Sequence, residues 1–408
     1  MIKRDKYLNI LKESKDLNLI KVITGVRRSG KSVLLMQYKD YLISQGVKEE
    51  NIIYINFESA EFFEIQNYKQ LNEYVKEKYN SRKNKKKMYV MLDEVQRVES
   101  WEKTVNAFLV DLDVDIYITG SNAYLLSSEL ATLLSGRILT INVFPFSFNE
   151  YTLAKKDNNE DVSNIDEVFD EYLKWGGMPQ MKLFKQDDML RSRYLKDITD
   201  VVLKNDVIAR NNIKDPVFLD NLLKYMASVT GNLTTPNGIA EFMRKNGKKV
   251  SNETVDSYLK MFENAYILYR TPRFELRGKE LLKTQGKYYF VDNGIKNNID
   301  GIDNYFSGSS LENVIYIELL RRGYEVYVGK YDSLEIDFVA IKPDKKIYIQ
   351  VARTIMDEKV EEREKKSLLF INDNYQKIIL TMDKNGKKVI DGIDVVYIPD
   401  FLIDEDKY

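Results

Sequence analysis

The chain of 408 residues contains neither cysteine nor histidine. Those two zeros remove thiolate catalysis, disulfides, zinc fingers, iron–sulfur clusters, Ser-His-Asp triads and histidine-based metal sites. Chemistry is left to carboxylates, lysine, arginine, hydroxyls, backbone amides and hard cations such as Mg²⁺. Charge of one sign is also missing. The 62 Lys and Arg against 63 Asp and Glu leave a net charge of -1, so attraction to nucleic acid or an acidic partner must come from a local patch. No apolar run approaches the ~18 residues that span a bilayer. The opening MIKRDKYLNILKESKD is charged throughout and lacks the apolar centre of a secretory signal. A cytoplasmic protein with no membrane partner is the expectation.

What is present suits a globular chain. Hydrophobic residues at 44% with 31% charged argue against wholesale disorder. At roughly 150 residues per domain, the length predicts two to four domains. Residues 1–150 alternate short apolar runs with amphipathic stretches, the pattern of a parallel sheet flanked by helices. Strands are expected at Leu19 to Thr24, Asn51 to Phe57, Met88 to Leu92, Asp115 to Thr119 and Ile138 to Phe144. A polar, acidic stretch from Lys155 reads as an exposed loop, and helices resume at Val168, punctuated by Trp175-Gly176-Gly177-Met178-Pro179.

From Val217 three helices precede two strands, the order of a winged helix-turn-helix. After about residue 300 a helix from Leu311 and strands near Tyr324, Glu335, Lys346, Lys377 and Val395 read as a separate α/β unit. The expected division is 1–150, 151–210, 211–295 and 300–408.

Gly25-Val26-Arg27-Arg28-Ser29-Gly30-Lys31-Ser32 matches G-x-x-x-x-G-K-[ST], directly after an apolar strand and before the helix SVLLMQYKDYLI. Glycines let the loop curl so that amides face a phosphate, and the helix N-terminus adds its positive end. Lys31 is expected at the β/γ-phosphates and the Ser32 hydroxyl on Mg²⁺. The second half of the site is the apolar run YVML ending in Asp93-Glu94. Asp93 would hold Mg²⁺ through water, and Glu94 would polarise the attacking water. Ser121 and Asn122, after the strand DIYIT, either bond the γ-phosphate or the attacking water, or cap the helix that follows. Arg137, just past the helix-ending Ser135-Gly136, either reaches a neighbouring subunit's nucleotide or pairs with a helix C-terminus.

GVRRSGKS, LDEVQRVESWE, ITGSNAYLLSSELATLLSGR, VFPFSF, WGGMPQ and the late EIDFVA and YIQVA together resemble the prokaryotic AAA+-like ATPase family with a C-terminal domain of unknown function. The resemblance spans nearly the whole chain. It implies an α/β P-loop fold of the AAA+ (ASCE) type, ATP as nucleotide, Mg²⁺ as cofactor and a nucleotide-driven switch. It also implies a homo-oligomer in which Arg137 stands where that division carries its arginine finger, with the Gly-Gly-Met-Pro segment in a helical lid.

Between Gly231 and Lys287, eleven basic residues face six acids, so a +5 segment hides in the neutral whole. In the helix-turn-helix reading, Ser251 to Ala265 is the recognition helix. Asn252 and Lys260 would face a DNA groove, Val255, Leu259, Met261 and Phe262 the core, and Arg270 to Lys283 a wing. Lys248, Lys249 and Arg273 complete the expected contacts to double-stranded DNA.

Finally, Glu312 on a helix, Glu335-Ile336-Asp337 on a strand and Gln350-Val351-Ala352 on the next resemble a restriction-endonuclease-like core. Active members carry an acid and a lysine at the last pair of positions. Gln350 and Ala352 stand there, so a degenerate core is expected, with Glu312, Asp337 and Gln350 as a second metal set and Lys365 or Lys366 as substitute lysines. The leading expectation is an Mg²⁺-dependent ATPase switch coupled to DNA. A metal-dependent nuclease regulated by ATP and a signalling or scaffold switch acting on a protein partner are the alternatives.

Overall fold

A computed structural model describes residues 2–123, 136–184, 187–211, 213, 215–278, 280–405 and 407, with the side chains of 281–284 left aside. The helix expected from Ala123 to Leu134, its terminal Ser135, and Lys279 and the Lys283 side chain lie outside this description. The chain divides into two compact units, Met1–Val143 with Asn264–Tyr266, and Phe144–Glu263 with Ile267–Tyr408.

The first unit begins with helix α1 (Asp5–Glu13) and contains strands β1 (Ile20–Thr24), β2 (Ile52–Asn56), β3 (Met88–Asp93), β4 (Val114–Gly120) and β5 (Ile138–Asn142). They form one parallel sheet in the order β2-β3-β4-β1-β5. The five expected strands are all present. Strands β1, β3 and β4 are buried along their whole length, which is why they read as unbroken apolar runs rather than alternating ones. Helices α2 (Lys31–Ser44), α3 (Tyr68–Ser81) and α4 (Trp101–Asp111) cover the two faces. Leu71, Val75, Val105 and Phe108 pack with Ile20, Val22, Val90 and Ile118 on one side. Tyr7, Leu11, Leu34, Leu35 and Tyr38 pack with Ile23, Met91 and Tyr117 on the other.

One polar group interrupts this second layer. Lys21 of β1 is fully buried and pairs with Asp115 of β4 at 2.5 Å, while Asp115 also accepts from the Tyr117 hydroxyl and the Asp16 amide. A buried charge left alone would be expensive, and this one is neutralised by the neighbouring strand.

The second unit is built on an eight-stranded mixed sheet. Its strands are β6 (Leu268–Glu275), β7 (Glu280–Phe290), β8 (Glu325–Tyr331), β9 (Leu334–Lys342), β10 (Lys345–Ala352), β11 (Gln376–Thr381), β12 (Val389–Ile390) and β13 (Ile393–Tyr397), in the order β12-β13-β11-β10-β9-β8-β6-β7. The β6–β7 hairpin was expected to be a free wing. Instead β6 pairs in parallel with β8 through Arg273, Phe274 and Glu275, so the sheet runs straight across the expected boundary near 295–300.

Helices α5 (Phe148–Asp157), α6 (Ile165–Trp175) and α7 (Asp188–Val201), the expected lid, belong to this unit, as do α8 (Pro216–Ser228), α9 (Pro236–Lys245) and α10 (Asn252–Asn264). They are followed by α11 (Asn293–Asp300), α12 (Gly308–Arg321), α13 (Glu358–Leu369) and α14 (Ile398–Ile403). No helix among the described residues is long and apolar enough to cross a membrane.

The Trp175-Gly176-Gly177 segment has a packing reason. A Cβ at Gly177 would lie 2.2 Å from the Phe146 carbonyl oxygen, and one at Gly294 would lie 2.0 Å from that of Trp175. Asp292, the N-cap of α11, accepts hydrogen bonds from the Gly177 and Ile295 amides at 2.6 and 3.1 Å, tying the three backbone stretches together. Burial pushes the Asp292 carboxyl up to about 6, outweighing those amides. A raised carboxyl favours the folded state when protonated, so the stability it contributes is full below about pH 4 and is lost as pH rises to 6. Replacing Asp292 with Asn removes that dependence. Melting temperatures at pH 4 and pH 6.5 should therefore differ less in the variant than in the parent chain.

Candidate nucleotide site

Because β4 is inserted between β1 and β3, the chain leaving β1 and the carboxylates ending β3 face each other across one strand's width at the C-terminal edge of the sheet. Ligands in open α/β sheets bind at that edge. The loop from Gly25 to Gly30 makes the required tight turn: φ is +139° at Gly25, +69° at Arg28 and +99° at Gly30. Gly25 is irreplaceable on a second count, since a Cβ there would lie 2.2 Å from the Val143 carbonyl oxygen. The loop is braced by buried Arg4, which donates to the Ser29 carbonyl at 3.0 Å. Val26 and Ser29 are buried, Arg27 is half-buried beside Glu58, and Arg28 is exposed.

Lys31 opens α2 and is buried. Its ammonium donates to the carbonyls of Gly25 and Val26 at 3.0 and 3.1 Å, curled over the mouth of its own loop. Ser32, one residue on, points its hydroxyl at Asp93 Oδ1 at 3.1 Å. The expected partners are thus together although sixty-one residues separate them in sequence.

Asp93 has no exposure at all. The Thr119 hydroxyl donates to Oδ1 at 2.5 Å and the Tyr54 hydroxyl to Oδ2 at 3.2 Å, so three hydroxyls from α2, β4 and β2 replace water around it. Glu94 follows with a left-handed φ of +55°, which turns its side chain out of the strand direction. Its amide donates to the Thr119 hydroxyl at 2.9 Å, and its Oε2 accepts from Gln96 at 2.5 Å and from Ser121 at 3.5 Å. Asn122 is buried beside Ser121. Thr119, Tyr54, Gln96 and Arg4 carry no motif signal. Strand order is what brings Thr119 and Tyr54 to Asp93, while Gln96 meets Glu94 from two residues on and Arg4 braces the loop at Ser29.

Arg137 is exposed at the start of β5, where its carbonyl accepts from the Ile20 amide at 2.8 Å. That is the N-terminal edge of the sheet. The loop after Thr24 lies at the opposite edge, about 13 Å away at the rise of a strand, so Arg137 does not serve its own chain's loop.

In the second unit the expected DNA contacts divide. Val255, Leu259 and Phe262 are buried as expected, whereas Met261 is only half-buried. Lys249 is exposed, Lys248 half-buried, and Asn252 sits half-buried at the start of α10. Lys260 is exposed but pairs with Asp256 at 2.7 Å. Arg273 turns inward instead of outward: it donates to Gln285 at 2.8 Å and lies 3.9 Å from Glu335, because its strand is inside the sheet. Glu312, Glu335 and Asp337 do converge, yet around the buried ammonium of Lys287 rather than around open space. Gln350 is engaged beside this cluster, its Oε1 accepting from the Asp337 amide and its Nε2 donating to Glu364. Lys365 pairs with Glu362 and Asp391, away from this cluster. Among the described residues, no group of three acidic side chains is arranged to hold a metal ion.

Comparison with known proteins agrees with the first unit's geometry. A family model described as an AAA domain matches residues 17–152, and a domain of unknown function matches 166–305. An uncharacterised Haemophilus influenzae protein is 43% identical over 403 residues, covering 99% of both chains. An uncharacterised Methanocaldococcus jannaschii protein is 32% identical over 385 residues, 91% of this chain and 82% of that one. Among solved structures, a Walker-type ATPase of Pyrococcus abyssi superposes with a TM-score of 0.52 at 17% identity, covering 73% of this chain and 96% of the other. That likeness is one of fold.

Two substitutions separate the roles. Lys31→Ala removes the ammonium aimed at the loop and should abolish nucleotide binding, measured by fluorescent-nucleotide titration. Thr119→Val leaves Asp93 with one hydroxyl fewer and frees the Glu94 amide. It should lower turnover at least tenfold while nucleotide still binds, a split that steady-state kinetics reads directly.

Proposed function

The chain belongs to one family with the Haemophilus and Methanocaldococcus proteins and carries an AAA-domain match at residues 17–152, and we propose that it is an Mg²⁺-dependent ATPase switch that couples hydrolysis to binding of double-stranded DNA. The observation that carries the ATPase part is the alignment of Lys31, Ser32, Asp93 and Glu94 at one sheet edge.

The residues fit the nucleotide and its metal. Amides of the loop from Val26 to Ser32 would bind a phosphate, and Lys31, whose ammonium is now satisfied by loop carbonyls, would supply the positive charge. Ser32 Oγ and Asp93 Oδ1, 3.1 Å apart, are the oxygens that would hold Mg²⁺, one directly and one through water. The bound cation supplies charge neutralisation on the transferring phosphoryl group. Glu94, oriented by Gln96 and by its left-handed backbone, accepts a proton from or aligns the attacking water, with Ser121 and Asn122 beside it. Arg137, at the far edge of its own sheet, completes the site of an adjacent copy, which makes the working form a homo-oligomer.

The DNA part rests on the local charge surplus, and the pairing of individual residues narrows it. Arg277 pairs with Asp332, Lys260 with Asp256, and Arg273 and Lys287 face inward. Among the described residues, the surplus left outside ion pairs includes exposed Arg244, Lys245 and Lys249 and half-buried Lys248, at the end of α9 and in the turn before α10. Charges at the mouth of a recognition helix reach phosphates and give strong salt dependence. Duplex DNA should stimulate ATP turnover at low salt. The Lys248→Glu/Lys249→Glu chain should lose that stimulation and bind DNA at least tenfold more weakly in a fluorescence-anisotropy titration. Hydrolysis indifferent to DNA and salt would instead move the reading to a protein partner.

A further inference from the structure

Lys287 is 3% exposed, on strand β7 of the hairpin that the sequence presented as a DNA-reaching wing. Its Nζ lies 3.0 Å from Glu335 Oε1, 3.2 Å from Glu312 Oε2 and 3.4 Å from Asp337 Oδ1. These oxygens come from a helix, α12, and a strand, β9, and none of the three carboxylates is more than 34% exposed. Two further donors reach the same carboxylates. The Tyr289 hydroxyl donates to Glu312 Oε2 at 3.0 Å, and the Val351 amide donates to Asp337 Oδ2 at 2.9 Å.

The three carboxylates hold the Lys287 ammonium charged against the cost of burial, so its proton affinity lies above the ordinary lysine range. Glu312 is pushed up to about 7 by burial and by Asp337, with Lys287 pulling the other way.

The dimensions are those of an ammonium site. Oxygens 3.0 to 3.4 Å from a central atom match N–H···O contacts. Mg²⁺ needs oxygens at about 2.0–2.1 Å and Ca²⁺ at about 2.3–2.6 Å, so a cation at this point would require the shell to contract by roughly an ångström. A nuclease-like core whose acids would hold a metal therefore does not fit one here, and the misfit has a named cause.

We propose that Lys287 is a built-in cation that takes the place of a divalent metal in the Glu312–Glu335–Asp337 cluster. The C-terminal unit is consequently a metal-free module with no metal-dependent phosphodiester cleavage, and the same lysine pins the β6–β7 hairpin to α12 and β9. The inference concerns a different site from the nucleotide reading and stands or falls separately from it.

The test is Mn²⁺ stoichiometry by electron paramagnetic resonance on the nucleotide-free full chain. The parent protein and Asp337→Asn should bind the same number of ions. Lys287→Ala should bind one more per chain, that ion should vanish in Lys287→Ala/Asp337→Asn, and Mn²⁺ should raise the melting temperature of Lys287→Ala alone. Loss of one ion from the parent on Asp337→Asn, or a folded Lys287→Ala chain that gains none, would overturn the proposal. So would Mn²⁺-dependent plasmid nicking by the parent that Asp337→Asn abolishes. If Lys287→Ala does not fold, the comparison of the parent with Asp337→Asn decides alone: equal stoichiometry supports the proposal and a lost ion contradicts it.

Discussion

The first unit depends on a carboxylate that has been taken out of water. Asp93 ends a fully buried strand with no exposure, and removing such a charge from solvent costs several kcal/mol unless hydrogen bonds replace the lost water. Three hydroxyls do so, from Ser32, Tyr54 and Thr119. Each comes from a different element, so the carboxylate is satisfied only when α2, β2 and β4 are all in register beside β3. The site and the sheet therefore require each other. The same Thr119 that donates to Asp93 also accepts the Glu94 amide, linking the orientation of one acid to that of the other.

A second charge constraint organises the other unit. Three carboxylates converge on one buried lysine and draw the hairpin, the long helix α12 and strand β9 into one body. Both units thus solve a buried-carboxylate problem, with opposite consequences. Around Asp93 the donors are neutral hydroxyls, which leave the charge free to attract a cation. Around Asp337 the donor is itself a cation, and the demand for positive charge is met from within.

Much of this was legible in the chain, for reasons that differ by residue. The five strands of the first sheet and the loop from Gly25 to Ser32 show through because buried parallel strands are apolar runs and the loop's glycines are dictated by φ. The resemblance to a restriction-endonuclease-like core put Glu312 and Asp337 together, with Gln350 as the third member of the set, and left Glu335 outside it. Lys287 was outside it too, since its charge counted toward a solvated basic segment until β6 paired with β8 and carried β7 into the same sheet. Arg273 was misjudged for the same reason. Thr119 and Tyr54 were invisible because their role depends on which strands lie side by side, and strand order is a long-range property that no local spacing encodes. Met261 erred by one helical position, its neighbours Val255, Leu259 and Phe262 having filled the buried stripe.

In the proposed ATPase, Asp93 and Glu94 divide the work, the first holding the cation and the second directing water. Glu94→Gln tests this most directly, because the amide preserves size and the contact with Gln96 while losing the charge. ATP affinity should be unchanged and turnover lowered by at least a hundredfold, read as ATP that remains intact and bound after a single-turnover chase. Turnover equal to that of the parent chain would contradict this division of work.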